Sequence, residues 1–367
     1  MKEKGRKQDW MLVALVLILT VFGLVVLYSA STWNGQVKFS DSAYYLKKQA
    51  FATALGLGAM VFFSRMDYEL FERYAVHAYL LSLVLSGLVL VAGSAYNGSR
   101  RWLSFGPLSF QPAEFAKAAV IVSASRTISR QKSRHHPGGM GMILKVMGQI
   151  LPVAALVGTN NLSTAVIILG IGAVLVFVSD PRYLPFAGLG IAGAGFIAVF
   201  LGMETYRLER LAVWRDPEQY EKGFQTIQGL YAIGSGGLFG TGLGSSMQKL
   251  GFVPEAQNDM IFSIICEELG LAGAVILLLL FFLLIWRFMV IAVHGEDLFG
   301  TLAAAGIMTH IALQVILNVA VVTNTIPNTG ITLPFVSYGG TSVLFLLSEM
   351  GMAVSISTGH RLEHRRI

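Results

Sequence analysis

The residues able to do chemistry in this chain are few, and they sit at the ends of apolar runs. Asp259 closes the string Pro254-Glu255-Ala256-Gln257-Asn258-Asp259 and leads directly into a long apolar stretch. Glu267 and Glu268 follow about two helical turns further on. Glu114 and Lys117 open another apolar run just after Gln111-Pro112, and their i, i+3 spacing puts them on one helix face, where they can pair. Arg100, Arg101, Lys117, Arg207, Arg210 and Arg215 supply cations of the kind that gather around an anionic head group. One carboxylate among several cations suits group transfer: the carboxylate acts as general base on a hydroxyl nucleophile, and the cations stabilise a departing pyrophosphate.

Each of these features also has a plain structural reading. Asp259 suits the N-cap of the helix that follows it, where a carboxylate meets the positive helix end. Glu114 and Lys117 suit a helix-packing ion pair, and the arginines suit ordinary anionic lipids or water. Glu267 and Glu268 read as structural, and His310 as a satisfied interhelical hydrogen-bond donor. The run GSGGLFGTGLG has the glycines of a nucleotide loop but does not follow a strand in a βαβ unit. No nucleotide cofactor is expected from it.

The elements that must position these groups are read from composition. Hydrophobic residues make up 54% of the 367 residues and charged residues 13%, about half the share of an ordinary soluble domain. The mean hydropathy is +0.64. The chain is therefore expected to be an all-α polytopic membrane protein, a single domain over residues 1–367. Apolar segments at 10–31, 46–64, 75–93, 113–128, 142–158, 164–179, 184–202, 260–290, 300–323 and 337–357 predict about ten transmembrane helices. The fourth is short and carries Lys117, and the eighth has length enough to kink. The basic leader MKEKGRKQDW before the first run resembles a signal peptide, but the apolar run spans a bilayer and no small-residue cleavage site closes it. It reads as a retained first helix. The single cysteine, Cys266, permits no disulfide framework and no Cys/His metal cluster.

With odd-numbered helices running outward, the cytoplasmic ends hold fifteen lysines and arginines against ten outside, which places both termini inside. Two outer segments stand out. Residues 94–112 (SAYNGSRRWLSFGPLSFQP) carry paired arginines and two prolines. Residues 203–258, between spans seven and eight, form one long loop with short helical segments that turns semi-apolar and glycine-rich. A loop of that length and composition is functional or packed back on the bundle.

Four stretches carry a resemblance over nearly the whole chain: NGSRRWLSFGPLSFQPAEFAKAA (97–119), YEKGFQTIQGLYAIGSGGLFGTGLG (220–244), QKLGFVPEAQNDMIFSIICEELGLAG (248–273) and NVAVVTNTIPNTGITLPFVSYGGTS (318–342). Together they resemble the SEDS proteins (shape, elongation, division and sporulation), multi-pass peptidoglycan glycosyltransferases of the FtsW and RodA type. SFQPAE, AIGSGGLFG, QKLGFVPEA and LPFVSYGGTS look closer to the division and sporulation branch. The resemblance implies polymerisation of lipid II into β-1,4 glycan on the outer face of the bacterial cytoplasmic membrane, with undecaprenyl pyrophosphate leaving. It implies that Asp259 deprotonates the acceptor hydroxyl in a single inverting displacement. Glu114 and Lys117 match the family's charged pair, and Lys117, Arg101 and Arg210 are implied to bind the pyrophosphate. Gln111, Gln225, Asn318 and Ser337 match polar positions of the family's cavity. A divalent cation, magnesium or manganese, is a further implication, with Asp259 as its candidate ligand. So is a partner, a single-pass class B penicillin-binding transpeptidase, alongside other divisome or elongasome membrane proteins; no nucleic acid is expected.

Two departures bear on metal geometry. Where the family reads PDLGT, this chain has Asn160-Asn161-Leu162-Ser163-Thr164, so Asn161 replaces a carboxylate. Gln257 stands where many members have histidine. Both are neutral and weaker partners for a hard cation. Two other classes compete with the enzyme reading: a flippase for the lipid-linked precursor, and a non-catalytic scaffold of cell-wall assembly. The polar clusters concentrate on one side and hydropathy shows no inverted repeat, which speaks against the transporter; the intact Asp259 motif speaks against the scaffold.

Overall fold

The computed structural model describes residues 8–96, 99–105, 108–133, 139–180, 183–202 and 205–359. Ten long helices correspond one to one with the predicted spans: α1 (Trp10–Phe39), α2 (Tyr44–Ser64), α3 (Glu69–Ala92), α4 (Pro112–Ser133), α5 (Met140–Asn160), α6 (Leu162–Ser179), α7 (Tyr183–Gly202), α10 (Ile261–Val293), α11 (Leu298–Val322) and α12 (Gly340–Thr358). Two shorter helices, α8 (Thr205–Arg215) and α9 (Phe224–Ser235), lie in the long loop. α1 runs eight residues beyond the predicted span, to Phe39. Hydropathy reports the thickness of hydrocarbon a helix crosses, while backbone hydrogen bonding carries the helix on past it.

Among the described residues seven helices, α1, α3, α5, α6, α10, α11 and α12, are long and apolar enough to cross a membrane, and α7 adds the apolar stretch Phe186–Gly202. α2 and α4 fall outside that set, and for α4 the reason is visible. It carries Glu114, Lys117, Arg126 and Arg130, yet most of its residues from Pro112 to Ile128 are buried. A central helix is covered by protein on most sides, so its composition is not set by lipid.

Three features beyond the helices shape the site. Three strands, β1 (Ser94–Tyr96), β2 (Ser99–Phe105) and β3 (Leu108–Phe110), form a small antiparallel sheet in the order β1-β2-β3. It sits directly before α4 and was not anticipated from the sequence.

α10 is two helices joined at Gly270, whose φ of 66° and ψ of −168° break the helical path. The piece before the break, from Ile261 to Glu268, is wholly buried. The break strands backbone groups on both sides, and the glycine-rich loop takes them up. Thr241 and Gly242 donate to the carbonyls of Glu267 and Glu268, while Leu271 and Ala272 donate to those of Gly237 and Leu238. That exchange brings two backbones together. A Cβ on Gly240 (φ +79°) would meet the Glu268 carbonyl, and one on Gly270 would meet the backbone of Leu238 and Gly240. The glycines thus serve a backbone-to-backbone junction and not a phosphate.

The third feature is the irregular segment 324–339 between α11 and α12, which turns back into the bundle. Ile331, Leu333, Phe335, Val336 and Ser337 are buried in it. Its carbonyl at Phe335 lies against α1 so closely that a Cβ at Gly23 would strike it. Irregular backbone at such depth is stable only when protein covers it.

Candidate active site

Asp259 sits in the turn just before α10. Met260 is the cap residue of that helix, with no side-chain cap bond, so the N-cap reading of Asp259 does not hold. Its carboxylate therefore does not cap α10. Asp259 is 9% exposed. Burial pushes its carboxyl up to about 6, and the charge of Glu255 adds to the rise. A backbone hydrogen bond and the guanidinium groups of Arg210 and Arg101 pull the other way. A carboxylate of this basicity is largely ionised at neutral pH yet accepts a proton more readily than an exposed aspartate.

The backbone carrying Asp259 is clamped from two sides. The Asn318 side chain, fully buried on α11, donates Nδ2 to the carbonyls of Asp259 at 2.8 Å and Ile331 at 2.6 Å. Ser337 Oγ donates to the Asn258 carbonyl at 2.6 Å and accepts from Leu333 N–H at 2.8 Å. Asn318 and Ser337 therefore join the Asp259 turn to segment 324–339. The same join brings Gly330 so close that a Cβ there would lie 3.8 Å from Asp259 Oδ2. Gln225, on α9, points its amide at the Pro254 carbonyl at 3.5 Å, at the edge of hydrogen-bond range.

Strand alternation divides the paired arginines. Arg100 turns to the C-terminal end of α3, with Nη1 3.3 Å from the Leu90 carbonyl. Arg101 turns to the end of α5, donating Nε to the Asn160 carbonyl at 2.8 Å. Both arginines still line, with Gln111, Asn160 and Asn161, one small crevice at the junction of α3, α4 and α5. Arg210 reaches from α8 to the Asn328 carbonyl at 3.1 Å. Arg215 is exposed, and the side chain of Arg207 lies outside the described residues. Of the five cations whose side chains are described, Arg210 and Arg101 are the two whose charges act on Asp259.

Lys117 is held one and a half turns into α4. Its Nζ pairs with Glu114 Oε1 at 3.1 Å, both side chains being buried, so the predicted i, i+3 pair forms. Nζ also donates to Gln314 Oε1 on α11 at 3.1 Å. Gln314 Nε2 in turn donates to the Thr332 carbonyl at 3.0 Å, two residues beyond Gly330. Segment 324–339 thus connects Lys117 to Asp259.

The departures from the family pattern have structural work of their own. Asn161 Oδ1 caps α6 by accepting from Thr164 N–H at 3.2 Å, a role in which asparagine equals aspartate. Gln257, 1% exposed, accepts from Asn34 Nδ2 of α1 at 2.8 Å, and its carbonyl accepts from Tyr338 N–H at 2.9 Å. Glu267 and Glu268 are structural, as expected. Glu268 binds Lys249 Nζ at 2.7 Å and Ser29 Oγ at 2.7 Å, and Glu267 accepts from Met247 N–H at 2.9 Å and from Ser246 Oγ. Cys266 is buried and unpaired.

Sequence reasoning missed Gln314, Thr332 and Glu349. Glu349 had a signal, a lone carboxylate inside an apolar run. Gln314 and Thr332 had none, because neutral polar residues are common in such helices.

The bundle is that of a polytopic membrane protein, with a buried carboxylate under the charges of Arg210 and Arg101. Residues 9–362 match the model of the cell cycle protein family of FtsW, RodA and SpoVE. The chain is 38% identical to stage V sporulation protein E of Bacillus subtilis, over 97% of this chain and 99% of that protein. It is 35% identical to the probable peptidoglycan glycosyltransferase FtsW of Trichlorobacter lovleyi, over 96% and 94%. Among solved structures it resembles a chain described under structural coordination of polymerization and crosslinking by a peptidoglycan synthase complex, with a TM-score of 0.80, 28% identity and coverage of 96% and 98%. It also resembles the rod shape determining protein RodA of Thermus thermophilus, with a TM-score of 0.72, 29% identity and coverage of 96% and 97%. The chain belongs to the FtsW, RodA and SpoVE family.

Proposed function

We propose that this multi-pass membrane protein is a peptidoglycan glycosyltransferase that polymerises lipid II. The observation that carries the reading is the buried Asp259 carboxylate, raised to about 6 and flanked by the charges of Arg210 and Arg101, in a chain whose relatives bear that activity in their names. Asp259 takes the proton of the acceptor sugar's C4 hydroxyl as its oxygen attacks the donor's anomeric carbon. The bond from that carbon to the pyrophosphate oxygen breaks, and undecaprenyl pyrophosphate leaves with the electron pair. Arg101, Arg210 and Lys117 meet the charge that develops on the leaving group. Glu114 holds Lys117, Asn318 and Ser337 hold the Asp259 turn, and Gln111 and Gln225 line the approaches.

The residues present fit a divalent cation shared with the substrate. The buried Oδ1 atoms of Asn258 and Asn318, next to Asp259, have no hydrogen-bond partner, and they are hard oxygen donors of the type magnesium takes. Among the described residues no group of three or more His, Cys, Asp or Glu side chains is placed to cage a metal. Asp259 with pyrophosphate oxygens would hold such an ion, which would neutralise leaving-group charge.

We place both termini in the cytoplasm and the β1–β3 end of the bundle outside, on the lysine and arginine balance. A class B penicillin-binding protein is the proposed partner, supported by the peptidoglycan synthase complex of the structural relative. The test is purified protein, alone and with that partner, given labelled lipid II. Glycan polymer with matching release of undecaprenyl pyrophosphate is expected. Movement of lipid II across sealed vesicles without polymer would replace the enzyme reading with a flippase.

A further inference from the structure

The buried polar groups of α4, α11 and α12 form one network, and two of its members, His310 and Glu349, lie outside the site above. Gln314 Oε1 accepts from Lys117 Nζ at 3.1 Å and lies 2.9 Å from His310 Nε2. His310 Nδ1 lies 2.8 Å from Glu349 Oε2. Lys117, His310, Gln314 and Glu349 are each no more than 2% exposed.

The chemistry of the partners fixes the protons. Lys117 can only donate and the Thr332 carbonyl can only accept, so Gln314 must present its oxygen to Lys117 and its NH2 to Thr332. Its oxygen can only accept, so His310 Nε2 carries a hydrogen. Nδ1 then either donates to a Glu349 carboxylate or accepts from a Glu349 carboxylic acid. In both cases one proton lies between them and the pair is neutral overall. Lys117 and Glu114 also cancel, so the whole cluster carries no net charge, as an apolar surrounding requires. Glu114 and Gln314 take two of the three Lys117 N–H groups, leaving one for a ligand.

We propose that His310 and Glu349 are positioning residues that fix the Gln314 amide and, through it, aim the Lys117 ammonium at the pyrophosphate. Gln314 is held in one rotamer by three contacts, those from His310, Lys117 and Thr332. Loss of the His310 contact frees the amide to turn, and Lys117 then settles on Glu114 alone. This inference rests on the reading of Lys117 as a pyrophosphate ligand.

The experiment measures binding of farnesyl pyrophosphate, a short soluble probe, to the full-length protein in detergent by calorimetry. Melting curves establish that each variant folds. His310→Ala and Glu349→Ala are each expected to weaken binding about tenfold, the scale of one hydrogen bond to a charged group. Glu349→Gln is expected to stay within about threefold of wild type, because its amide can donate to Nδ1 and keep the Nε2 hydrogen in place. In a Lys117→Met background His310→Ala should cause no further loss. Wild-type binding by both His310→Ala and Glu349→Ala, or the same loss with and without Lys117, would overturn the proposal while leaving Lys117 as a ligand. Wild-type binding by Lys117→Met, or none by the wild type at millimolar probe, would remove the reading of Lys117 itself and this inference with it. Should His310→Ala fail to fold, the Glu349→Ala and Glu349→Gln pair reads the same contact.

Discussion

At the scale of single residues, two opposing effects set the basicity of Asp259. Burial and the Glu255 charge raise it, while Arg210 and Arg101 lower it, leaving it near 6. A general base works only when ionised, so polymerisation should rise with pH through about 6, level off above, and be lost below as the carboxylate takes up a proton. Arg210→Ala removes a lowering charge. Its acidic limb should therefore lie at higher pH than that of wild type, measurable in a rate profile between pH 5 and 8; an unmoved limb would mean that Arg210 does not act on the base. Asp259 stood out in the sequence as a carboxylate at the mouth of an apolar run that has to be satisfied or used. The residues alone suited a helix N-cap as well, and it was the family resemblance that decided for a base. Asn318 and Ser337 were singled out only by the family resemblance, and the hydrogen bonds they make were not readable. Both bind backbone carbonyls of residues about 60 to 80 positions away in the chain, and no local pattern carries that.

At the scale of elements, the site depends on three pieces of irregular backbone: the kink at Gly270, the glycine-rich loop packed on it, and segment 324–339. The kink ends a half-helix whose first turn follows Asp259, so its position sets the depth of the base. Gly240→Ala places a methyl group against the Glu268 carbonyl at a φ of +79° and should destabilise the protein strongly, whereas Gly234→Ala, with open space around it, should be neutral or slightly stabilising. Thermal melting in detergent compares the two, and equal midpoints would contradict the junction. The glycine run was visible in the sequence as a loop, but its purpose was hidden because it serves carbonyls of another segment. The three-stranded sheet was hidden for a related reason. Its strands are three to seven residues long, too short for alternation to show.

At the scale of the whole molecule, helix number and order were open to reading because each span must be apolar wherever lipid surrounds it. Apolarity is a weaker guide for α4, whose Glu114 and Lys117 are buried against protein. A membrane bundle can hold Glu114, Lys117, His310 and Glu349 in its interior only by pairing them, and the pairs, linked through Gln314, join three helices. The most direct measurement compares wild type with Asp259→Asn, which keeps size and hydrogen bonding but cannot accept the proton. Both proteins, folded and bound to the same partner, are given labelled lipid II. The account predicts glycan polymer from wild type and a loss of rate of at least about a hundredfold in the variant. Polymer formed by Asp259→Asn at the wild-type rate would contradict it.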